Sequence, residues 1–337
     1  MQPVSRMLRA SAWLVAAIVA GPVVATAADD VEHDVAHWLD RMARAVETLD
    51  YRGTLVHWRG DKIDTFRIIH RADENGVRER LYSLSGQPRE ILRDGDQVRC
   101  LLAGDQPLVV QSQLTARLMP NLPISRLSAT EAAYRMGMKG TERVAGFDTR
   151  IVEITPRDQY RYGYRFWLEE QSGMLLRSAL LDQEGEAIQQ LSFVDIELGV
   201  RISDAELEPE LDPEFTLETR MDQNLPVVRS GDLREASWLP HRVPENFRLA
   251  RTGQGESADG DVFEHLLYSD GLASFSVYIE EGMKGYDGSR LEVIGSVHVY
   301  TGLLAGRQIT VVGEVPVATV EFVGRSLRRT PGPQRRN

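Results

Sequence analysis

The hydrophobic positions of this chain recur first at helical spacing and then at strand spacing. Between residues 35 and 49 an apolar side chain returns every three or four positions, which predicts an amphipathic helix with one buried stripe. From residue 50 the period changes to two, which is typical of strands with one buried face. We predict strands over residues 50–58, 62–70 and 77–84, and then a hairpin over residues 89–102 around Asp94-Gly95.

Short strands continue along the chain as far as residue 198. Turn residues separate them, and local hairpins in series predict an antiparallel sheet, because parallel strands need long crossover connections. These further strands are predicted over residues 143–155, 160–169, 174–182 and 187–198.

A second hairpin is predicted after residue 261. Residues 262–269 form a strand candidate, Asp270-Gly271 supplies a turn, and the following run alternates between apolar and polar side chains. About thirty residues later, a short apolar strand ends at Gly313, and Pro316 stands as the first residue of a helix. The apolar face of the hairpin would hold Ala273, Phe275, Val277 and Ile279, and that of the helix Val317, Val320, Val323 and Leu327.

Composition divides the chain into segments. Acidic residues and prolines crowd together between residues 204 and 218, which is typical of a linker or of a segment that crosses the surface without a packed core of its own. We therefore expect a signal peptide over residues 1–27, a larger domain over 28–205, a linker over 206–232, a smaller domain over 233–327 and a disordered basic tail over 328–337.

The N-terminus predicts export. Arg6 and Arg9 precede an apolar run over residues 10–24, and Ala25-Thr26-Ala27 has the small residues of a cleavage site. The run is shorter than the about 20 residues that a spanning helix needs. The net charge is −11 for the whole chain and −13 without the two arginines, which excludes the basic surface that nucleic-acid binding requires.

The residue pattern indicates no catalytic chemistry. Cys100 is the only cysteine, so no internal disulfide forms; we expect a buried thiol, with a reactive or intermolecular thiol as the alternative. His33 and His37 lie four apart on the first helix, but no glutamate stands between them and no third ligand is evident. No nucleophile elbow or phosphate loop occurs. We predict no enzyme activity, no metal site and no cofactor.

Four segments together resemble the RseB/MucB family. They are Tyr51-Arg52-Gly53-Thr54-Leu55-Val56, Arg89-Glu90-Ile91-Leu92-Arg93-Asp94-Gly95, Asp270-Gly271-Leu272-Ala273 and Gly313-Glu314-Val315-Pro316. The resemblance covers nearly the whole mature chain. It implies an α+β protein with an N-terminal LolA/LolB-like antiparallel half-open β-barrel and covering helices, plus a smaller C-terminal α+β domain.

The resemblance also implies a function. Such a protein would sit in the periplasm, bind the periplasmic segment of an inner-membrane anti-sigma factor of the RseA/MucA type, and shield it from the first proteolytic cut. Lipid or lipopolysaccharide would release it, and a homo-oligomer is left open. The alternatives are a periplasmic carrier for lipidated proteins, against which the extra C-terminal domain argues, and an exported hydrolase with an unrecognised carboxylate pair.

Two sets of residues are candidates for binding. Large apolar side chains on the first helix and on the strands below it are candidates for an acyl-binding concavity, with ordinary core packing as the alternative. Tyrosines and an arginine of the smaller domain are candidates for partner contact, because these types are enriched at interface hot spots. The first set is Trp38, Trp58, Phe66, Ile68 and Leu81, and the second is Tyr268, Tyr278, Tyr286 and Arg307.

Overall fold

A computed structural model of the protein describes residues 26–74, 76–95, 97–103, 132–211, 216–222, 236–256, 262–281 and 288–330. These ranges contain the helices α1 (Thr26–Thr48), α2 (Asp204–Leu207) and α3 (Val317–Gly324). Their strands are β1 (Tyr51–Arg59), β2 (Lys62–Asp73), β3 (Gly76–Ser83), β4 (Arg89–Asp94), β5 (Gln97–Ala103), β6 (Tyr134–Val144), β7 (Phe147–Pro156), β8 (Gly163–Glu169), β9 (Leu175–Leu181), β10 (Ala187–Leu198), β11 (Thr216–Asp222), β12 (Trp238–Pro240), β13 (Arg248–Glu256), β14 (Val262–Ser269), β15 (Ser274–Glu281), β16 (Ser289–Ile294), β17 (Val297–Leu304), β18 (Arg307–Gly313) and β19 (Leu327–Arg329). No helix in the described ranges is long and apolar enough to cross a membrane.

Eleven strands form one antiparallel sheet in the order β11-β5-β4-β3-β2-β1-β10-β9-β8-β7-β6. The antiparallel prediction is therefore confirmed, and so is the α+β class. Within the described ranges the sheet is open, with β11 and β6 at its edges. One apolar cluster includes Val98 and Cys100 on β5 and Val144 on β6, near opposite ends of the strand order. The concave side of the sheet is thus a single continuous surface, as expected for a half-open barrel.

Helix α1 covers one part of this sheet. Its predicted apolar stripe is buried, and Val35, Leu39 and Met42 pack in one cluster with Ile154 of β7 and Phe166 of β8. The burial of this stripe confirms the sequence prediction for the helix.

The smaller domain contains a second antiparallel sheet, in the order β13-β14-β15-β18-β17-β16. The predicted hairpin over residues 262–280 is formed by β14 and β15 and buries its apolar face. Helix α3 packs on that same face, where Gly324 lies against the Tyr300 ring so closely that a Cβ would come within 2.2 Å of it. The helix ends at Gly324, and Leu327 instead pairs with Pro240 between β19 and β12.

The acidic stretch expected to be a linker packs against the large sheet. Residues 204–211 cross its outer face, where Leu207 is buried beside Ile69, and β11 pairs with β5. The acidic residues of this stretch complement a row of arginines, which the alternation of β1 to β3 places on the outer face of the sheet. They form ion pairs there and do not mark a solvated linker. The ion pairs are Arg52–Glu206 at 2.9 Å, Arg71–Asp204 and Arg78–Asp204 at 2.9 Å, and Arg80–Glu210 at 3.1 Å.

The two sheets are joined by a buried contact centred on Arg161, in the connection between β7 and β8. Its side chain is fully buried, and Nη1 donates to the Asp270 carboxylate at 2.6 Å. Nη2 donates to the Glu245 carbonyl at 2.6 Å, and the Tyr134 hydroxyl donates to the same Asp270 oxygen at 3.0 Å. The Phe247 ring lies 4.8 Å from the guanidinium carbon. One arginine therefore binds the second domain through charge, hydrogen bonds and an aromatic face.

The Asp270-Gly271 turn is shaped for this contact. One Asp270 carboxylate oxygen accepts the backbone N–H groups of Leu272 at 2.9 Å and Ala273 at 2.8 Å, and Gly271 adopts a φ of 104°. The other oxygen is left to face Arg161. The motif that the sequence analysis assigned to a turn thus also holds the two domains together.

A second contact between the domains lies at the far end of β1. Gly295, in the turn between β16 and β17, adopts a φ of 64°, which favours glycine, and Arg59 packs on it with its Cδ 2.6 Å from where a Cβ would lie. Next to it, the Ser296 hydroxyl lies 2.9 Å from Gln189 Oε1 and 2.5 Å from Glu314 Oε1. Burial raises the pKa of the Glu314 carboxyl, while the hydrogen bond from Ser296 and the charge of Arg59 act in the opposite direction.

We predict that Arg161→Met lowers the free energy of unfolding by about 3–5 kcal/mol, because it leaves the Asp270 carboxylate buried without a counter-charge. Adding Asp270→Asn to that variant removes the unpaired charge and keeps an oxygen for the turn, so the double variant is more stable than the sum of the single effects. Urea unfolding of the four proteins in a double-mutant cycle measures the coupling.

The control is Arg325→Met, which breaks an exposed ion pair with Glu321 in the smaller domain and costs about 0.5 kcal/mol or less. Equal costs for Arg161→Met and Arg325→Met would contradict a structural role for the buried pair.

Candidate functional site

The concave side of β1 to β5 is built from rows of directly opposed residues. From β1 to β5 neighbouring strands pair without a register shift, so directly opposed residues form continuous rows across the sheet. Two residues further along each strand, the next row lies on the same face. The apolar row consists of Gly53, Ile68, Leu81, Ile91 and Cys100. The polar row, one step along the strands, consists of Tyr51, His70, Glu79 and Arg93.

Three of the five candidate acyl-binding residues meet on this surface. Phe66, Ile68 and Leu81 are buried in one apolar cluster of the concave side. Trp38 is buried too, but in the neighbouring cluster between α1 and the strands β6 to β9. The structure therefore groups the first three and separates the fourth.

Trp58 needs a correction. It pairs with Ile63 across β1 and β2, and the unbroken alternation of β1 points it to the outer face, opposite to Leu55 and Phe66. Trp58 was predicted to line the concave side because its side chain is large. Its position one residue out of phase with the buried side chains of β1 was the signal that would have excluded it.

The polar row has hydrogen-bonding capacity that its own members do not use. The rings of Tyr51 and His70 stack with centroids 4.7 Å apart, and the buried Tyr51 hydroxyl has no hydrogen-bond partner within the described ranges. His70 Nδ1 lies 2.9 Å from the Leu49 carbonyl, so it carries the proton and donates. Burial lowers the pKa of His70, which leaves a neutral ring with Nε2 as an acceptor.

Glu79 and Arg93 complete this row. They face each other across β3 and β4, yet no ion pair joins them in the part of the chain that the structure describes. Burial raises the pKa of Glu79 to about 7, against the lowering effect of the Arg93 charge. Arg93 Nε donates to the Gly95 carbonyl at 3.0 Å. The row can offer donors and acceptors to a polar group bound over the sheet.

Cys100 lies in the apolar row and is buried, and burial raises the pKa of its thiol. The prediction of a buried thiol is confirmed. Among the residues that the structure describes, no cluster of three histidine, cysteine or acidic side chains could hold a metal ion. The side chain of His33 lies outside the described residues, and that of His37 is exposed.

The candidate partner residues of the smaller domain fall on two faces of its sheet. Tyr268 was expected on an exposed face, but it is buried and its ring stacks on Phe275 in the core. This is a correction, because alternation along β14 puts Tyr268 on the face that α3 covers. Tyr278 lies on the opposite face, where it is half-buried and stacks on His265 with centroids 4.6 Å apart. Tyr286 lies outside the described residues.

Arg307 opens β18 beside a cleft of about 720 Å³. Its guanidinium is partly exposed and stands 3.8 Å from the Glu281 carboxylate, a loose ion pair. Phe263 and Trp238 supply apolar walls to the cleft. Arg307 is therefore accessible to a partner, as the sequence analysis expected, while its role in binding stays a prediction.

An exposed apolar edge of the smaller sheet was not predicted from the sequence. Among the strands that the structure describes, β16 is the last of this sheet, and its Leu291, Val293 and Ile294 are exposed, as is Leu303 on β17. An edge strand with exposed apolar side chains is a site where another chain can add, although β16 also carries Arg290 and Glu292, which form an ion pair at 3.0 Å. The alternation of Leu291-Glu292-Val293 was the available signal, but the sequence alone does not show which strand ends the sheet.

The chain is similar to members of one family over most of its length. Residues 34–211 match the model of the MucB/RseB N-terminal domain, and residues 232–328 match that of the MucB/RseB C-terminal domain. The sigma factor AlgU regulatory protein MucB of Pseudomonas aeruginosa is 30% identical over 303 residues, which cover 88% of this chain and 91% of the relative. The sigma-E factor regulatory protein RseB of Escherichia coli K12 is 23% identical over 321 residues, which cover 94% of this chain and 97% of the relative.

A solved structure agrees with these relatives. A chain in the complex structure of Pseudomonas aeruginosa MucA and MucB matches with a TM-score of 0.71 and 30% identity, covering 89% of this chain and all (100%) of that chain. The crystal structure of MucB matches with a TM-score of 0.63 and 30% identity, covering 88% of this chain and 98% of that chain.

We predict that Glu79→Gln makes the free energy of unfolding less dependent on pH. Folding raises the Glu79 pKa from 4.5 to about 7, with Arg93, His70 and Tyr51 around it. Its contribution to stability is therefore full below pH 4.5 and is lost as the pH rises through about 7. Glutamine does not titrate, so the variant matches the original chain below pH 4.5 and exceeds it by roughly 3 kcal/mol near about pH 8, since one pKa unit corresponds to about 1.4 kcal/mol.

Urea unfolding across this pH range measures the difference, and the exposed Glu74→Gln is the control. A constant difference between Glu79→Gln and the original chain at every pH would show that the Glu79 pKa is not raised.

Proposed function

The chain belongs to the MucB/RseB family, and from this premise we propose that it is a periplasmic regulator that binds the periplasmic segment of a membrane anti-sigma factor. The curated relatives are sigma-factor regulatory proteins and not enzymes. One solved relative is a crystal structure of MucB in complex with MucA(peri). The export signal expected at residues 1–27, which lies almost wholly outside the described residues, agrees with this compartment.

The exposed apolar edge at β16 is the observation that supports a binding site for this segment. An extended chain that adds to a sheet edge gains main-chain hydrogen bonds, and its alternate side chains fall on the two faces of the sheet. Val293 is 61% exposed and Leu291 is 39% exposed, so both offer apolar surface to such a chain. Among the ways in which an unfolded segment could bind, we propose strand addition at β16.

Strand addition also explains how binding would protect the anti-sigma factor. A protease binds its substrate in an extended conformation through the same main-chain groups. A segment whose backbone is already paired with β16 cannot present those groups to a protease. Shielding from the first cut is then a direct consequence of binding and needs no further activity of the chain.

Release by lipid is the second part of the proposal. The apolar row and Phe66 form a concave surface on which an acyl chain would gain about 0.8 kcal/mol for each buried methylene. If lipid and partner bind different states of the protein, each weakens the other by one coupling free energy, typically about 1–3 kcal/mol. A carrier of lipidated proteins would use the same surface, but it would have no use for the exposed edge of the smaller domain.

We predict that Val293→Lys weakens binding of the anti-sigma segment by at least about tenfold, because an edge lysine opposes strand addition. Titration calorimetry with the periplasmic segment from the same genome measures the affinity. The matched control is Val194→Lys on β10, where the original valine is 56% exposed.

Both lysines replace exposed valines, so the thermal midpoint of unfolding should change little in either variant. Unchanged affinity in Val293→Lys, or an equal loss in Val194→Lys, would exclude β16 as the docking edge.

We also predict that Tyr278→Ala and Arg307→Ala each weaken binding of the anti-sigma segment by about 1–2 kcal/mol. This loss is expected if the bound segment continues from the edge strand across the open face of the sheet. The same titration measures both variants. Tyr268→Phe is the control, because Tyr268 faces the core. Full affinity in both alanine variants would remove these two residues from the interface.

A further inference from the structure

The two contacts that join the domains are built from different chemistry. At the first, the Arg161 guanidinium and the Asp270 carboxylate pair at 2.6 Å, and both side chains are fully buried. At the second, at the far end of β1, neutral groups meet, and the buried Ser296 hydroxyl lies 2.9 Å from Gln189 Oε1 of the larger domain. Hydrogen bonds between neutral groups are weaker than those between charged ones. The second contact therefore opens more easily than the first, which remains as a pivot.

One titratable group lies at the centre of the second contact. The Glu314 carboxyl follows β18 and lies 2.5 Å from the same Ser296 hydroxyl that meets Gln189. We propose that this contact is a proton-controlled latch, which holds the smaller domain against β1 and β10 while Glu314 is protonated and opens when Glu314 ionises. The latch is a property of the domain contact and depends neither on lipid binding nor on the anti-sigma segment.

The surroundings of Glu314 favour its neutral form in the closed contact. Burial raises the pKa of the carboxyl and outweighs the hydrogen bond from Ser296 and the charge of Arg59, which both lower it. No ion pair joins Arg59 to Glu314 in the ranges that the structure describes, because the Arg59 side chain packs on Gly295. An ionised Glu314 in the closed contact is thus removed from water without a paired cation.

The other titratable groups near Glu314 are two phenols, two carboxylates and one imidazole, which belong to Tyr162, Tyr164, Asp182, Asp270 and His298. Burial raises the pKa of both phenols, that of Tyr162 to about 12, so neither ionises near neutral pH. Backbone N–H groups bond to one carboxylate, and Arg161 pairs with the other. The imidazole donates from Nδ1 to a backbone carbonyl of its own domain at 2.8 Å. Glu314 differs from the two carboxylates because its donor is a neutral hydroxyl.

The direction of the pH effect follows from the raised pKa. A carboxyl with a higher pKa in the closed state than in the open state loses its proton more readily after opening. Closing is therefore favoured at low pH and becomes less favourable as the pH rises through the raised pKa. Opening moves the Gly295 turn away from Arg59, and β16 ends at this turn. The latch thus sets the position of the edge strand relative to the large sheet.

The experiment measures the distance between two spin labels on opposite sides of the latch. Lys62→Cys on β2 and Ser289→Cys on β16 are exposed positions that carry the labels, in a chain whose buried thiol is removed by Cys100→Ala. Distance distributions are recorded by pulsed electron spin resonance from about pH 5 to about pH 8. The thermal midpoint of each labelled protein shows that it is folded.

Three substitutions are compared with the labelled original protein. Glu314→Gln keeps the shape of the protonated carboxyl but cannot ionise. Ser296→Ala removes the hydroxyl that connects Glu314 with Gln189. Glu321→Gln, on the exposed side of α3, is the matched control for loss of a carboxylate in the same domain.

We expect one narrow distance for the original protein near about pH 5, and a second, longer distance whose population grows toward about pH 8. The ratio of the two populations changes about tenfold for each unit by which the Glu314 pKa differs between the closed and open states. Glu314→Gln should keep the narrow distance at every pH, and Ser296→Ala should show the longer one at every pH. Glu321→Gln should follow the original protein.

Two results would overturn the latch. A pH response in Glu314→Gln equal to that of the original protein would assign the titration to another group, such as His298. A single distance in the original protein that pH does not change would show that the second contact stays closed. Neither result decides the binding of the anti-sigma segment, because that affinity is measured separately by titration calorimetry.

Discussion

Among the contacts that join the two domains, the central one is the buried charge pair of Arg161 and Asp270, in which Arg161 also pairs with Asp158 at 3.0 Å. The guanidinium of Arg161 and the carboxylate of Asp270 are both removed from water, and neither is tolerable there without the other. The hydrogen-bonding groups around the pair are used by Tyr134, by the Glu245 carbonyl and by the turn that Asp270 itself closes. Such a pair adds little net stability compared with apolar side chains of the same shape, but it accepts only one geometry. Its contribution is to fix how the two sheets face each other.

That geometry connects the two proposed binding surfaces through strand β1 and one packed contact. Strand β1 carries Tyr51 of the polar row at one end and Arg59 at the other. Arg59 packs on Gly295, the turn residue from which the edge strand β16 departs. If lipid binds as proposed and shifts β1, the shift would reach the edge strand through one strand and one packed turn. This continuity is a spatial argument for coupling, and the coupling free energy itself has to be measured.

The sequence predicted the features that depend on local pattern. Period-two alternation identified the strands and the buried face of the β14–β15 hairpin, and the Asp-Gly pairs identified turns. Features that depend on distant pairing were not accessible in this way. Trp58 was assigned to the wrong face and Tyr268 to an exposed one, because each was chosen by residue type and not by its phase on the strand.

The other features that the sequence did not predict have one physical origin, which is interaction between segments far apart in the chain. The acidic stretch over residues 204–211 packs against the large sheet because arginines of β1 to β3 lie on its outer face. The complementary charge is visible only once the pairing register of the strands is known. Arg161 lies in a loop without any pattern, and the polar row is assembled from four strands. Charge and hydrogen bonding between segments far apart in sequence therefore determine these features, and the hydrophobic periodicity of a single segment does not reveal them.

The most direct test of the central claim is a titration of the anti-sigma segment in the absence and in the presence of a saturating anionic amphiphile. If the two ligands bind different surfaces and oppose each other through the domain contact, the affinity for the segment falls by about 5- to 150-fold when the amphiphile is bound. Linkage requires the same factor for the amphiphile when the segment is bound. An affinity for the segment that the bound amphiphile does not change would contradict regulation by lipid.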